Sequence, residues 1–217
     1  MLKDYEKVIK NLNNNNISVI YAENKEKVKN IVEDLLFDGA VISNGGSVSV
    51  NECGVDKIIR DKKYNHLDRF KEGLNESEKQ DVFKNIVGCD FYFCSANALT
   101  ENGEIINVDG MSNRVSAIAF GPKKVIMIVG KNKIVKDVNE GILRVKKIAA
   151  PKNCERLKID NPCRKLGHCI SLEKSENPDF ADGCMLDTRI CCNYLVSAKQ
   201  RTNGRMTVIL VDENLGY

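Results

Sequence analysis

Five of the chain's nine cysteines, Cys163, Cys169, Cys184, Cys191 and Cys192, fall in its last quarter. Four follow the pattern Cys163-x5-Cys169-x14-Cys184-x6-Cys191, with Cys192 spare. A reducing compartment disfavours bridges, so clustered thiols point first to a metal. Four thiolates suit tetrahedral zinc and can fold a poorly hydrophobic segment. They suit a [4Fe–4S] cluster as well. Zinc is the favoured expectation, because the surrounding apolar residues (Leu157, Leu166, Ile170, Phe180, Leu186) are scattered and the segment needs a staple. Free or bridged thiols stay open, since no CxxC knuckle is present. His168, beside Cys169, can replace a ligand or simply be exposed. Cys53, Cys89, Cys94 and Cys154 read as small buried apolar residues, with Cys53, one residue past Glu52, the alternative reactive thiol.

Two other stretches carry chemistry. Ser43-Asn-Gly-Gly-Ser-Val-Ser-Val-Asn-Glu52 follows an apolar run and opens a helical one. Gly45 and Gly46 let backbone N–H groups approach an anion, and Ser47 and Ser49 add donors. Equally, the glycines make a turn and a serine caps the helix. No Lys follows as in a P-loop, and no GxGxxG is present. The second stretch, Ser95 to Arg114, is polar and holds Asn97, Thr100, Glu101, Asn107, Asp109, Asn113 and Arg114. Arg suits bidentate capture of a carboxylate or phosphate; Asn and Asp also serve as turn formers. Glu52, Glu101 and Asp109 are the candidate acid–base groups. His66 joins them only if folding brings it to Gly45-Gly46.

Asn44-Gly-Gly-Ser-Val-Ser-Val-Asn-Glu52, Ser95-Ala-Asn-Ala-Leu-Thr-Glu-Asn-Gly-Glu-Ile-Ile-Asn-Val-Asp-Gly-Met-Ser-Asn-Arg114 and Phe120-Gly-Pro-Lys-Lys-Val125 resemble the lactate-utilisation (LUD) domain family. The ending Val208-Ile-Leu-Val-Asp-Glu-Asn-Leu-Gly-Tyr217 is similar to members with a cysteine-rich tail. Those members usually space the second and third cysteines more closely, so Ile170 to Gly183 reads as an insertion. The resemblance implies a fold like ribose-5-phosphate isomerase, glucosamine-6-phosphate deaminase and the CoA transferases. It implies a part in oxidising L-lactate to pyruvate beside iron–sulfur partner subunits. By analogy with the sugar-phosphate enzymes, Gly45, Gly46, Ser47, Asn97, Asn107, Asp109, Asn113 and Arg114 would line an anion pocket. Glu101-Asn-Gly103 is similar to the CoA-transferase Glu-Asn-Gly, whose Glu is the nucleophile. The alternatives are a docking or sensing subunit without catalysis, and a transferase or isomerase acting on a sugar phosphate or acyl-CoA.

These residues need elements to place them. Leu2, Tyr5, Val8, Ile9 and Leu12 share one helical face within 1–15. A strand over 17–22 and a helix over 25–36 follow, then a strand over 40–43. Helices are expected over 50–61 and 76–87, the second capped by Ser77. Residues 90–94 read as a strand, and Asn102-Gly103 signals a hairpin into 104–108. A helix over 114–120, a buried strand over 124–129, a helix over 135–149 and a closing strand over 206–211 complete the pattern. Strands alternating with helices predict an α/β fold, a mostly parallel Rossmann-like sheet covered by helices. The periodicity breaks at Pro151, so 1–154 plus 206–217 read as the core and 155–205 as a cysteine-rich segment held by metal.

The 217 residues carry 33 Lys+Arg against 30 Asp+Glu, a net charge of +3. With 42% hydrophobic and 29% charged residues the chain can bury a core, which excludes a disordered or collagen-like protein. No dense basic stripe points to nucleic acid. No apolar run is long enough to span a membrane, and the start, Met1-Leu-Lys-Asp-Tyr-Glu, does not read as a secretion signal, so a cytoplasmic protein is expected. No flavin or nicotinamide fingerprint appears. A small anionic ligand is expected, with a homo-oligomer left open.

Overall fold

The computed structural model describes residues 5–217; Leu2 of the first predicted helix face lies outside them. Among the described residues ten strands form two sheets. The first is wholly parallel, with strands β1 (Ser18–Ala22), β2 (Val41–Asn44), β3 (Asn65–Leu67), β4 (Phe91–Cys94), β7 (Lys124–Gly130) and β10 (Met206–Val211) in the order β1-β10-β7-β4-β2-β3. The expected mostly parallel α/β fold is present.

A parallel sheet covered on both faces needs strands that are apolar on both sides. β7 shows this. Val125, Met127 and Val129 join one buried cluster, while Ile126 and Ile128 join the cluster on the opposite face. On the first face packs α1 (Glu6–Asn14), through Val8 and Leu12. On the second packs α2 (Lys25–Leu35), through Val28 and Val32, its start fixed by Asn24, whose side chain accepts from the Lys27 N–H.

Several expectations are corrected. The helix predicted over 50–61 is two short ones, α3 (Val48–Glu52) and α4 (Val55–Ile58). Gly54, at φ +65°, breaks them apart. The edge strand β3 was too short and polar to be seen. α5 (Glu76–Ile86) is capped by Asn75 in a capping box with Glu78, not by Ser77.

The second sheet was not foreseen. It holds β5 (Ala98–Thr100), β6 (Ile105–Asp109), β8 (Ile134–Val135) and β9 (Asn193–Ser197) in the order β8-β5-β6-β9. β5 and β6 are the hairpin that Asn102-Gly103 signals. The helix α6 (Asn113–Ala119) follows it. β9, counted with the cysteine-rich segment, pairs antiparallel with β6 over five residues.

Pro151 does not end a helix. The helix α7 (Val138–Arg144) runs into a π-helical turn (Val145–Ala149) and on into α8 (Ala150–Leu157). The π turn changes the hydrogen-bond ladder just before Pro151, which has no N–H to donate. A short helix, α9 (Pro162–Leu166), starts the cysteine-rich segment. No helix of the described residues is long and apolar enough to cross a membrane.

Candidate functional site

The carboxyl ends of β2, β4 and β7, neighbours in the sheet, open together on a cavity of about 420 Å³. This is where loops of an open parallel sheet meet ligands. Gly46, Ser47 and Ser49 come from the loop after β2, and Ser95 and Asn97 from the loop after β4. Asp109, Asn113 and Arg114 reach it from the end of β6 and the start of α6, so the two predicted loops do meet. Gly45, Asn107, Glu52 and Glu101 are not on its wall.

Arg114 is the organising side chain. Its Nε donates to Asp109 Oδ1 at 2.9 Å. Nη1 donates to the Ser95 carbonyl and Asn107 Oδ1, and Nη2 to Asn97 Oδ1 and the Val108 carbonyl, all within 3.0 Å. All five N–H donors are therefore committed inside the protein. Asp109 Oδ2 accepts the backbone N–H groups of Arg114 and Val115, fixing the start of α6. Asp109 and Asn97 thus serve the frame, as does Asn107, whose Nδ2 is buried without a partner. Gly45 is required by close approach, since a Cβ there would stand 3.1 Å from Tyr92 Oη and 3.2 Å from Arg114 Cδ.

The serines divide. Ser47 caps α3, accepting from the Val50 N–H, and α3 spans only five residues. The turn-and-cap reading of this loop is what the geometry displays. Ser49 is 1% exposed and accepts from Lys133 Nζ at 2.9 Å. The candidate carboxylates lie elsewhere. Glu52 accepts the Gly216 N–H, and Glu101 pairs with Lys7 at 2.6 Å. His66, on β3, hydrogen-bonds Asn44 beside Gly45, and burial lowers its pKa.

Sequence reasoning missed the cavity's cations. Lys133 follows β7 and is 3% exposed; its Nζ donates to Ser49 Oγ and Ser95 Oγ. Burial, with Arg144 and Arg114 nearby, lowers its pKa to about 7. Arg69 stacks on Phe70, with 4.4 Å from guanidinium to ring centroid, and its buried Nε has no partner. Burial lowers its pKa too. Arg156, on α8, is held by Asn153 and Tyr217 Oη. A lysine just past the end of a central parallel strand was the available signal. Arg69 sat in an unpatterned polar run, and Arg156 lay beyond a proline read as a break.

The four tail cysteines also share a place. Cys163, Cys169, Cys184 and Cys191 line one small cavity with Lys146, Asn161 and Ile190. Its room is about 10 Å³, roughly the ~10–15 Å³ one water needs. Thiol donors of this kind are those that thiophilic metals take. Among the described residues, however, no group of three or more His, Cys, Asp or Glu side chains stands gathered as a cation site. Cys154, expected to be a lone apolar residue, lies with its Sγ 3.5 Å from that of Cys163. His168 is outside this cavity, 3.7 Å from Glu173. Burial pushes the Cys53, Cys89 and Cys94 thiols up to about 12, so Cys53 is no reactive thiolate.

Comparison with known proteins places the chain. No curated protein matches it. Among solved structures it is similar to a DUF162 family protein from Deinococcus radiodurans, at 15% identity and a TM-score of 0.45, covering 97% of this chain and 94% of that one. It is also similar to eIF2B beta from Chaetomium thermophilum, at 13% identity and a TM-score of 0.38, covering 54% of this chain and 43% of that one. The family model for the LUD domain matches residues 5–211, and the chain therefore belongs to the LUD domain family, which is linked to lactate utilisation in general.

Proposed function

We propose that the cavity binds a small anion, a carboxylate or phosphate, and that the protein takes part through it in oxidising a 2-hydroxy acid such as L-lactate, with redox partners. The observation that carries this reading is the cavity's charge. Its only acidic side chain, Asp109, is consumed by Arg114, whereas Arg69 and Arg156 have no carboxylate partner among the described residues. Cations gathered without counter-charge repel one another. An anion about 4 Å from one of them gains on the order of 4 kcal/mol at an effective dielectric of about 20. Arg69 and Arg156 are the anion's ligands in this reading, and Arg114 holds the wall in place.

The test is a thermal-shift series with L-lactate, pyruvate and inorganic phosphate. A ligand of the folded state raises Tm with concentration. At least one of these anions raises Tm, and the rise is lost in Arg69→Gln. An unchanged Tm with all three contradicts the reading.

We infer also that Cys163, Cys169, Cys184 and Cys191 close on one thiophilic ion, as structural zinc does. Lys146 is 1% exposed and lines their cavity, and among the described residues only the Asp182 carbonyl accepts from its Nζ. Arg189 donates to Cys191 Sγ at 3.3 Å. Buried cations want negative neighbours, and metal-bound thiolates supply them. Elemental analysis checks this: stoichiometric zinc in the purified protein, absent from Cys163→Ser and Cys184→Ser. Metal retained by both variants overturns it.

A further inference from the structure

The floor of the anion cavity is an amine in an unusual setting. Lys133 Nζ is buried, and two serine hydroxyls accept from it, each at 2.9 Å. An ammonium has three donors, and the third would point at the cavity, where the protein offers it no acceptor. A neutral amine has two N–H bonds, matched by the two serines, and a lone pair at the position the protein leaves open. Ser95 Oγ donates its own proton to the Ile128 carbonyl at 2.6 Å. Its lone pairs, not its hydrogen, therefore face Lys133. The charged neighbour Arg144 is 7% exposed and fixed by the carbonyls of Asn132 and Asn97. It adds positive charge to the site, and no carboxylate touches the amine to hold a proton there.

A desolvated lysine beside other cations is a nucleophile toward carbonyls. We propose that Lys133 forms a reversible imine with a small 2-oxo acid whose carboxylate is held by the cavity's arginines. This rests on the anion-binding reading and names the substrate class of that site. The Nζ lone pair attacks the C2 carbonyl carbon and the carbonyl π pair moves to oxygen. A proton passes from nitrogen to that oxygen, giving a carbinolamine. Loss of one water then leaves the C=N bond; amine and ketone enter, imine and water leave. Ser49 Oγ, 2.9 Å from the nitrogen and on the cavity wall, is placed to pass that proton.

Burial and the nearby guanidiniums supply the neutral form near neutrality, the Lys133 pKa lying at about 7. An ordinary lysine, near 10.5, is almost wholly protonated there.

The experiment treats the whole protein with pyruvate and sodium cyanoborohydride, which reduces an imine to a stable secondary amine. The expected product gains the mass of pyruvic acid less one oxygen, and peptide mapping finds it on Lys133 in at least tenfold excess over exposed Lys131. Its rate rises with pH through about 7. Lys133→Arg abolishes it. Mapping the wild-type chain keeps the test valid if that variant misfolds. Adduct absent, or spread evenly over surface lysines, overturns the imine. If L-lactate, pyruvate or inorganic phosphate still raises Tm in that case, the anion site stands without the imine; if none does, both fall.

Discussion

Arg114 shows how a residue chosen from sequence for one role can have another. Arginine after a polar loop suggested an anion clamp, but its five donors are all taken by Asp109, Asn97, Asn107 and two carbonyls. Arg114→Ala strands Asp109, which is 9% exposed, without its counter-ion. Breaking such a pair costs about 3–5 kcal/mol, to be read as a lower urea midpoint. A loss of ligand affinity with unchanged stability would contradict this role. Lys133 makes a second prediction. The unfolded chain keeps its proton up to about 10.5, whereas the folded one releases it near 7. Between those values the unfolded state binds more protons, so stability rises with pH. Lys133→Met removes that rise, and urea titrations of the two proteins across this window measure the difference.

Elements that obey a strong local rule were legible. The 3.6-residue spacing of Val8 and Leu12, or of Val28 and Val32, needs no tertiary knowledge. Nor does Asn102-Gly103. The failures are elements decided by partners. β3 exists because β2 offers an edge, and β9 because β6 does. Pro151 misled because a π turn upstream absorbs it. Of the candidate site, the two loops were readable as polar segments between apolar runs. Arg69 and Arg156 were not, since each lies in an element that only the assembled sheet brings to the cavity; Lys133 had a signal in its place just past a buried strand. At this scale Gly103 is the sharpest test. It sits at φ +88° and a Cβ would lie 2.9 Å from the α1 backbone at Asn11 and Leu12. Gly103→Ala strains the hairpin turn and pushes on α1, costing about 1–3 kcal/mol. An unchanged thermal midpoint would show that the turn and α1 part freely.

For the whole molecule, the parallel sheet provides the floor and the second sheet a wall. The chain's last residues add a rim: the Lys131 N–H donates to the Glu213 carbonyl, the Leu215 N–H to Asn132 Oδ1, and Tyr217 reaches Arg156. Ala150 and Ile190 line both the large cavity and the thiol cavity, so the cysteine-rich segment props the candidate site from behind. Loosening the thiols should therefore weaken ligand binding as well as stability. Calorimetric titration of pyruvate into the protein and into Arg69→Gln tests the central claim most directly. The account predicts saturable one-site binding that weakens at least tenfold in the variant. Equal affinity in both, or no binding heat to the unmodified protein, would contradict it.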